Sequence, residues 1–165
     1  MATLFFDSSA IVKRYIREPG TTWMRELCNA RDEEGERAHL LVIAQISRVE
    51  VAAAFAVLVR RKEISSGLGE RTFQKFANEI EQEYQLVRLT PLVLRNAAEL
   101  TQRHPLKAYD AVQLSACLEY NESLKESELT LTFVSGDETL LQAARAEGLA
   151  TDNPFQHADL DKEHP

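Results

Sequence analysis

Four acidic residues of this sequence stand where an α/β fold would deliver side chains to one edge of a sheet. Asp7 follows an apolar run, Asp137 follows another after two small residues, and Glu50 and Asp110 fall in the first turns of predicted helices. Carboxylates a few ångströms apart repel one another and raise each other's pKa, so crowding them adds no stability. A hard divalent cation, which takes oxygen ligands, would offset that repulsion. If the fold brings the four together, we therefore expect a metal site.

Each of these carboxylates also has a purely structural interpretation. Asp7 could satisfy backbone donors at a strand-to-helix turn, and Asp110 and Asp137 could complement the positive end of a helix. Ser47 and Glu50 have the spacing of a capping box, in which the glutamate bonds back to the N–H of the cap residue. The functional interpretation is favoured because all four meet the same predicted edge. Small residues beside them leave room for a ligand: Ser8, Ser9, Ala10, Ala108, Ala111, Ser135 and Gly136.

Composition indicates a soluble globular protein. The 165 residues are 44% hydrophobic and 27% charged, which suits one domain with a substantial core. The longest apolar run, residues 51–59, is shorter than the roughly 20 residues of a membrane-spanning helix. The N-terminus has no basic region of a signal peptide. Cys28 and Cys117 are isolated in the sequence, which predicts buried free thiols in a reducing cytoplasm.

The net charge of −7 argues against a protein that coats nucleic acid through charge alone. It does not exclude a nuclease, because the site carboxylates contribute to the acidic excess. Two basic groups are interpreted as solvated helix faces rather than nucleic-acid contacts: Lys13, Arg14 and Arg17 in the first, and Arg60, Arg61 and Lys62 in the second.

Apolar periodicity predicts strands alternating with helices. The pattern favours a mainly parallel central sheet with helices on both faces, whose sites lie beyond the carboxyl ends of the strands. We expect one domain over residues 1–155 and a polar, frayed tail over 156–165. The predicted strands are 3–6, 39–44, 84–89, 129–134 and 149–151; the predicted helices start near 8, 21, 47, 69, 91, 108 and 137, the third ending near 67, and residues 121–128 are predicted to form a loop.

Four motifs in order resemble a known family over nearly the whole chain. They are Asp7-Ser8-Ser9-Ala10, Glu50-Val51-Ala52-Ala53-Ala54, Leu106-Lys107-Ala108-Tyr109-Asp110-Ala111-Val112-Gln113-Leu114-Ser115-Ala116, and Phe133-Val134-Ser135-Gly136-Asp137. Together they resemble PIN-domain ribonucleases, in particular the VapC-like toxins of bacterial and archaeal toxin–antitoxin modules. Ser135 stands where the family often has Thr, and Lys107 where Arg is common; Lys lacks the bidentate fork of Arg.

The resemblance implies a three-layer α/β/α sandwich, Mg²⁺ or Mn²⁺ at the acidic cluster, hydrolysis of RNA and a small antitoxin that occludes the site. We expect Asp7 and Asp110 to be direct metal ligands, with Glu50 and Asp137 binding a second ion, acting through water or orienting the nucleophile. The substrate contacts are expected from Ser8, Ser135 and Lys107. The family also implies a homodimer built on a face away from the site. The antitoxin groove is predicted on the first two helices, at Tyr15, Ile16 and Trp23.

Three alternatives remain open. A phosphoryl-transfer hydrolase with a nucleophilic Asp7 would place a second acid two residues on, where this chain has Ser9. A PIN fold could also serve as a catalytically silent binding module, or as a stand-alone RNA-processing nuclease. Zinc chemistry is not indicated, because the four histidines lack zinc spacing: His39, His104, His157 and His164.

Overall fold

A five-stranded parallel sheet forms the centre of the computed structural model, which describes residues 2–125 and 129–163. The strand order is β3-β2-β1-β4-β5, and every neighbouring pair is parallel. In chain order the strands are β1 Ala2–Phe6, β2 His39–Ala44, β3 Gln85–Val87, β4 Leu131–Val134 and β5 Ala150–Asp152. The first strand is therefore central, with two strands on each side of it.

Helices cover both faces of this sheet. They are α1 Ser8–Tyr15, α2 Thr21–Asn29, α3 Ser47–Arg60, α4 Ser66–Gln82, α5 Pro91–Arg103, α6 Ala108–Ser123, α7 Glu138–Ala146 and α8 Leu160–Glu163, with a 3₁₀ turn at Pro154–His157. No helix in the described part of the chain is both long and apolar enough to cross a membrane.

The fully buried pair Phe5 and Phe6 shows why β1 lies at the centre. Successive strand residues point to opposite faces, and these two rings enter different cores. Phe5 packs with Phe133 in the core below α5, α6 and α7, at a ring separation of 5.8 Å. Phe6 joins the core under α1 to α4, which contains Phe55 and Phe76. The predicted three-layer α/β/α sandwich is thereby confirmed.

Several element boundaries differ from the predictions. α3 ends at Arg60 rather than near residue 67, because Lys62 takes a left-handed backbone with φ of 60° and Ser65 then caps α4. α6 continues to Ser123, so part of the predicted loop is helical, while residues 126–128 lie outside the described residues. The predicted start of α5 is confirmed: Thr90 accepts from the Val93 N–H, with proline at the first helical position.

The C-terminal segment folds back onto α2, so the expectation that it frays is wrong for residues 156–163. Both carboxylate oxygens of Asp161 accept from backbone N–H groups, of Gly20 at 2.6 Å and Thr22 at 2.8 Å. The Trp23 ring stacks on His157 with centroids 4.1 Å apart. The polar composition of this segment does not predict the packing. The contacts join residues that are far apart in the sequence, so no local pattern indicates them.

The first two helices do not present the predicted apolar groove. Tyr15 packs against Phe55 and Phe76 and donates to Glu79 at 2.6 Å. Ile16 is buried, and His157 covers Trp23. Ile16 and Trp23 thus serve the interior and the C-terminal contact, and Tyr15 lines a hollow of mainly polar residues. The location of the antitoxin contact stays a prediction.

The prediction of a solvated face for the first basic group is confirmed for the exposed Arg17 and wrong for the other two residues. Lys13 and Arg14 are buried, each paired with glutamates, so they are not part of a solvated helix face. The second group, Arg60, Arg61 and Lys62, is exposed as predicted. The cysteines Cys28 and Cys117 are buried free thiols, which confirms that prediction.

Candidate functional site

The parallel sheet places the four acidic residues at one edge. Asp7 directly follows β1, and its N–H donates to the last residue of β4, Val134, at 3.1 Å. Asp137 follows β4 as the N-cap of α7, and Glu50 lies in the first turn of α3, after β2. Because β2, β1 and β4 are adjacent and parallel, their carboxyl ends meet here. Asp110 reaches the same edge from the first turn of α6.

Asp7 is the buried centre of this arrangement. Its Oδ1 atom accepts from the Ala10 N–H at 2.9 Å and from Ser9 Oγ at 2.8 Å, and its Oδ2 atom accepts from Ser135 Oγ at 2.8 Å. Burial raises the pKa of Asp7 to about 6 against the opposing effect of these hydrogen bonds, and the charge of Glu50 raises it further. Asp7 is therefore both the cap of α1 and a carboxylate whose ionisation is disfavoured.

Glu50 does not form a capping box. The N-cap of α3 is Ile46, with no side-chain cap, and Ser47 lies inside the helix. The Glu50 Oε2 atom instead accepts from Ser8 Oγ at 2.8 Å and from Gln113 Nε2 at 2.5 Å. Glu50 thus connects α3 to α1 and α6, and the structural alternative weighed for this residue is wrong.

Asp110 and Asp137 complete the acidic edge. The pKa of Asp110 is raised first by burial, then by the charges of Asp137 and Glu50, while the charge of Lys107 opposes the shift. Asp137 accepts from the Leu140 N–H at 3.1 Å, which caps α7. The structure therefore brings Asp110 within electrostatic range of Asp137 and Glu50, and Glu50 within range of Asp7.

The predicted substrate contacts divide into two kinds. Ser8 and Ser135 turn their hydroxyl groups to carboxylates, Glu50 and Asp7 respectively. Ser135 Oγ also accepts from the Asp137 N–H at 3.0 Å, so this serine joins two of the acids. Lys107 is exposed at the N-cap position of α6, beside Asp110, where an ammonium group can meet a phosphate.

Two residues of the site were missed from sequence. Buried Gln113 places its Nε2 atom 2.9 Å from Ser8 Oγ and 2.9 Å from Ser47 Oγ, in addition to its bond with Glu50, while its Oε1 atom lacks a hydrogen-bond partner. Ser9 donates to Asp7 and accepts from the Gly136 N–H at 2.9 Å. A glutamine among apolar residues, three positions after Asp110 and so on the same face of α6, was the available signal.

The donor set suits a hard cation held partly through water. Within residues 2–125 and 129–163, no three histidine, cysteine, aspartate or glutamate side chains stand together as a preformed cage. Mg²⁺ does not require one, because it keeps several waters and is usually bound by one or two carboxylates. Burial is the main cause of the raised pKa of Asp7 and of Asp110, and positive charge at this edge would relieve the repulsion between carboxylates that adds to it.

Comparison with known proteins agrees with this architecture. Ribonuclease VapC47 of Mycobacterium tuberculosis is 28% identical over 151 residues, covering 92% of this chain and 96% of its own. FitAcB from Neisseria gonorrhoeae has a TM-score of 0.62 at 15% identity, over 92% of this chain and 98% of that one. VapBC2 from Rickettsia felis, bound to a DNA fragment from their promoter, has a TM-score of 0.60 at 12% identity, with the same coverage.

A third structure, PAE2754 from Pyrobaculum aerophilum, has a TM-score of 0.55 at 19% identity, over 95% of this chain and 87% of that one. At these identities the structures show a shared fold. The PIN domain family profile matches residues 4–147, which include all four acidic residues of the site. Because this match spans most of the sequence, the chain belongs to the PIN domain family.

Proposed function

We propose that this protein is a Mg²⁺- or Mn²⁺-dependent endoribonuclease that acts as the toxin of a toxin–antitoxin pair. The observation that carries the proposal is the buried Asp7, electrostatically coupled to Glu50 at the edge where Asp110 and Asp137 also lie. Carboxylates arranged in this way favour a cation and disfavour a purely structural role. Membership of the PIN family and the name of the ribonuclease relative support the choice of RNA as substrate.

Asp7 and Asp110 hold the cation in this proposal. Hydrogen bonds to both oxygens of Asp7 fix its carboxylate, so its direction does not depend on the substrate. A bound divalent cation supplies a water of lowered pKa and neutralises charge on the phosphate oxygens. Lys107, exposed next to Asp110, pairs with the phosphate as a point charge.

Glu50 orients the attacking water. Its bonds to Ser8 and Gln113 both end on Oε2, which leaves Oε1 to accept from a water. The charge of Glu50 favours a proton moving toward it as the water attacks phosphorus. Asp137, held by the Leu140 N–H, acts through a second ion or a bridging water.

Cleavage of a labelled RNA in the presence of Mg²⁺ or Mn²⁺ tests the enzyme assignment. We expect activity that disappears in EDTA and returns when the cation is added in excess. Cleavage that survives chelation would contradict the metal-dependent mechanism. Metal binding without cleavage of any RNA would favour a catalytically silent PIN module.

The toxin assignment needs a partner as well as an activity. We expect a small protein encoded beside this chain to inhibit it by placing an arginine or lysine against the acidic edge, where an arginine can pair in bidentate fashion. Replacing the partner's basic residues with alanine should reduce inhibition more than binding. If no neighbouring product binds or inhibits, a stand-alone RNA-processing nuclease is the better account. Sedimentation of the purified chain tests the expected homodimer separately.

A further inference from the structure

Exposed aromatic rings border the acidic edge. Among the described residues, three phenylalanine or tyrosine side chains are well exposed: Phe73 at 42%, Tyr109 at 61% and Phe155 at 49%. Two of them, Tyr109 and Phe155, lie beside residues of the acidic edge. Tyr109 lines a hollow that includes Glu50, and Phe155 lines a second hollow that includes Asp137. Glu50 follows β2 and Asp137 follows β4, the two strands on either side of β1, so these hollows flank Asp7.

The hollow at Tyr109 is mostly apolar. It has a volume of about 560 Å³. Its apolar walls are Ile46, Val49, Ala53, Leu89 and Tyr109, and its polar lining is Gln45, Arg48 and the site residue Glu50. Tyr109 lies between the exposed Lys107 and Asp110 on the first turn of α6. A ring at this place is next to the position where a phosphate would bind.

The C-terminal segment contributes the Phe155 ring to the second hollow, whose other walls come from the α1 region, α3 and the loop before α7. Lys13 Nζ lies 3.9 Å from the centroid of the Phe155 ring, which leaves the rest of the half-exposed ring to solvent. The ring edge approaches the loop before Asp137 so closely that a Cβ at Gly136 would lie 3.2 Å from Phe155 Cε2. The hollow measures about 400 Å³ and includes Ser9 and Asp137.

Backbone caps fix the position of Phe155. The Asn153 side chain accepts from the Phe155 N–H at 3.0 Å, and Asp161, a few residues on, anchors the segment to the start of α2. The ring contacts Lys13 and Gly136, and about half of it remains exposed at the border of the polar site. It is suited to a planar ligand.

We propose that Tyr109 and Phe155 are stacking platforms for the nucleobases on the two sides of the scissile phosphate of single-stranded RNA. This inference rests on the proposed nuclease function. Every base has a π-face, so stacking holds a strand without reading its sequence. A single strand crossing Asp7 would pass one hollow on each side.

Because the protein is acidic, an RNA strand needs a source of affinity other than net charge. Attraction between phosphates and basic residues supplies most non-specific RNA affinity, and a chain with a net charge of −7 has little of it. Stacking is an attraction that does not depend on that charge. Both hollows are continuous with the carboxylates through Glu50 and Asp137, so an RNA at the site reaches them directly.

Binding of a fluorescent, unstructured RNA by the Asp7→Asn chain, measured by anisotropy with Mg²⁺ present, tests the proposal without cleavage. We expect Tyr109→Ala and Phe155→Ala each to weaken binding about tenfold. Tyr109→Phe and Phe155→Tyr should bind within about twofold of the Asp7→Asn chain, because each keeps an aromatic ring. The matched control is Phe73→Ala, an exposed aromatic of α4 that lines a different hollow; it should not change binding. Alanine variants that behave like the control would overturn the proposal.

Substrates with one base removed assign each ring. Each alanine substitution is made alone, with Asp7 intact, and kcat/KM is measured on RNA that has an abasic nucleotide on one side of the cleaved bond. On that RNA, the substitution of the ring that stacks on the missing base should no longer lower kcat/KM, while the other substitution still should. If each alanine substitution lowers kcat/KM by the same factor with and without a base removed, on either side of the cleaved bond, stacking is contradicted. If the wild-type chain cleaves RNA and the alanine variants match it, this inference fails alone; if the wild type neither binds nor cleaves RNA, the proposed function fails with it. A change in sedimentation on Tyr109→Ala would instead assign that ring to a contact between copies.

Discussion

Two buried polar clusters meet helix α1 at its two ends, and they differ in charge balance. At the C-terminal end, Arg14 donates to Glu83 at 2.5 Å and to the Tyr84 hydroxyl at 2.5 Å. Although partial burial opposes the shift, the hydrogen bond and charge of Arg14, together with Arg37, lower the pKa of Glu83. At the N-terminal end, burial raises the pKa of Asp7 to about 6, and the nearby Glu50 adds negative charge instead of relieving it.

The difference separates a structural cluster from a functional one. A buried ion pair with satisfied hydrogen bonds ties α1 to α4 and needs no further partner. A cluster of like charges has no such balance within the chain, and in our proposal a cation from outside supplies it. The same helix therefore carries a stabilising network at one end and a candidate reaction site at the other.

Of the substitutions that distinguish the two clusters, Asp7→Asn should have the largest effect, and it should act on RNA cleavage. We expect the rate of RNA cleavage to fall about a thousandfold, since the cation contributes several kcal/mol to the transition state. Without metal, the melting temperature should hold or rise, because a repelling charge is removed. Near-wild-type cleavage by this variant would show that Asp7 is not a ligand. Single-turnover cleavage and calorimetry supply the two measurements.

Arg14→Met should show the opposite pattern. Removing the guanidinium leaves Glu83 without its nearest cation and the buried Tyr84 hydroxyl without its donor, so we expect a loss of about 3 kcal/mol in the free energy of unfolding. Cleavage per folded molecule should stay unchanged. Arg60→Met, at an exposed position of α3, is the control and should alter neither quantity. Urea titrations compare the two variants. Equal stabilities would mean that the Arg14 network contributes nothing.

The two clusters should also titrate with opposite signs. The pKa of Asp7 is raised from 3.8 to about 6 in the folded chain, so the native state binds more protons between those values and stability falls as pH rises through them. The full window corresponds to about 3 kcal/mol for the metal-free protein. Glu83, with a lowered pKa, adds stability that is lost as pH falls. Asp7→Asn should remove the fall in the urea midpoint between about pH 4 and 6; an unchanged profile would contradict the raised pKa.

Gln113→Leu should give a smaller effect, confined to the site. The substitution removes the Nε2 donor to Glu50, so cleavage should drop about 10- to 100-fold, as for residues that orient metal-site groups. Stability should fall by about 1 kcal/mol, because the buried Ser47 Oγ loses a partner, while removal of the unpartnered Oε1 atom offsets part of that cost. Ser115→Ala, on the same helix, is the matched control: it loses a bond to the Val93 carbonyl, costing about 1 kcal/mol of stability without a change in rate. A Gln113 variant that cleaves like the Ser115 variant would rule out positioning of Glu50.

The sequence alone predicted those helices and strands whose formation depends on residues within the same short segment. The second strand was predicted with its observed bounds, because an apolar run in a parallel sheet is buried on both faces and reads as a continuous block. The start of α5 was likewise predictable, since Thr90 and Pro91 cap and begin a helix through local bonds. The place of the four acidic residues at one edge could be foreseen from the alternation of strands and helices, because parallel strands bring their carboxyl ends to one edge.

Tertiary structure decided which partner each polar group has at this edge of the sheet. Glu50 has capping-box spacing with Ser47, yet its donors are Ser8 and Gln113, which lie 42 and 63 residues away in sequence. Phe155 borders the site in a segment that Asp161 anchors to the start of α2, 139 and 141 residues away in sequence. Local patterns determine which residues reach the edge of a sheet, because strands and caps are short-range structures. The partner of a buried polar group depends on which distant segments pack beside it, and that information is distributed over the whole chain.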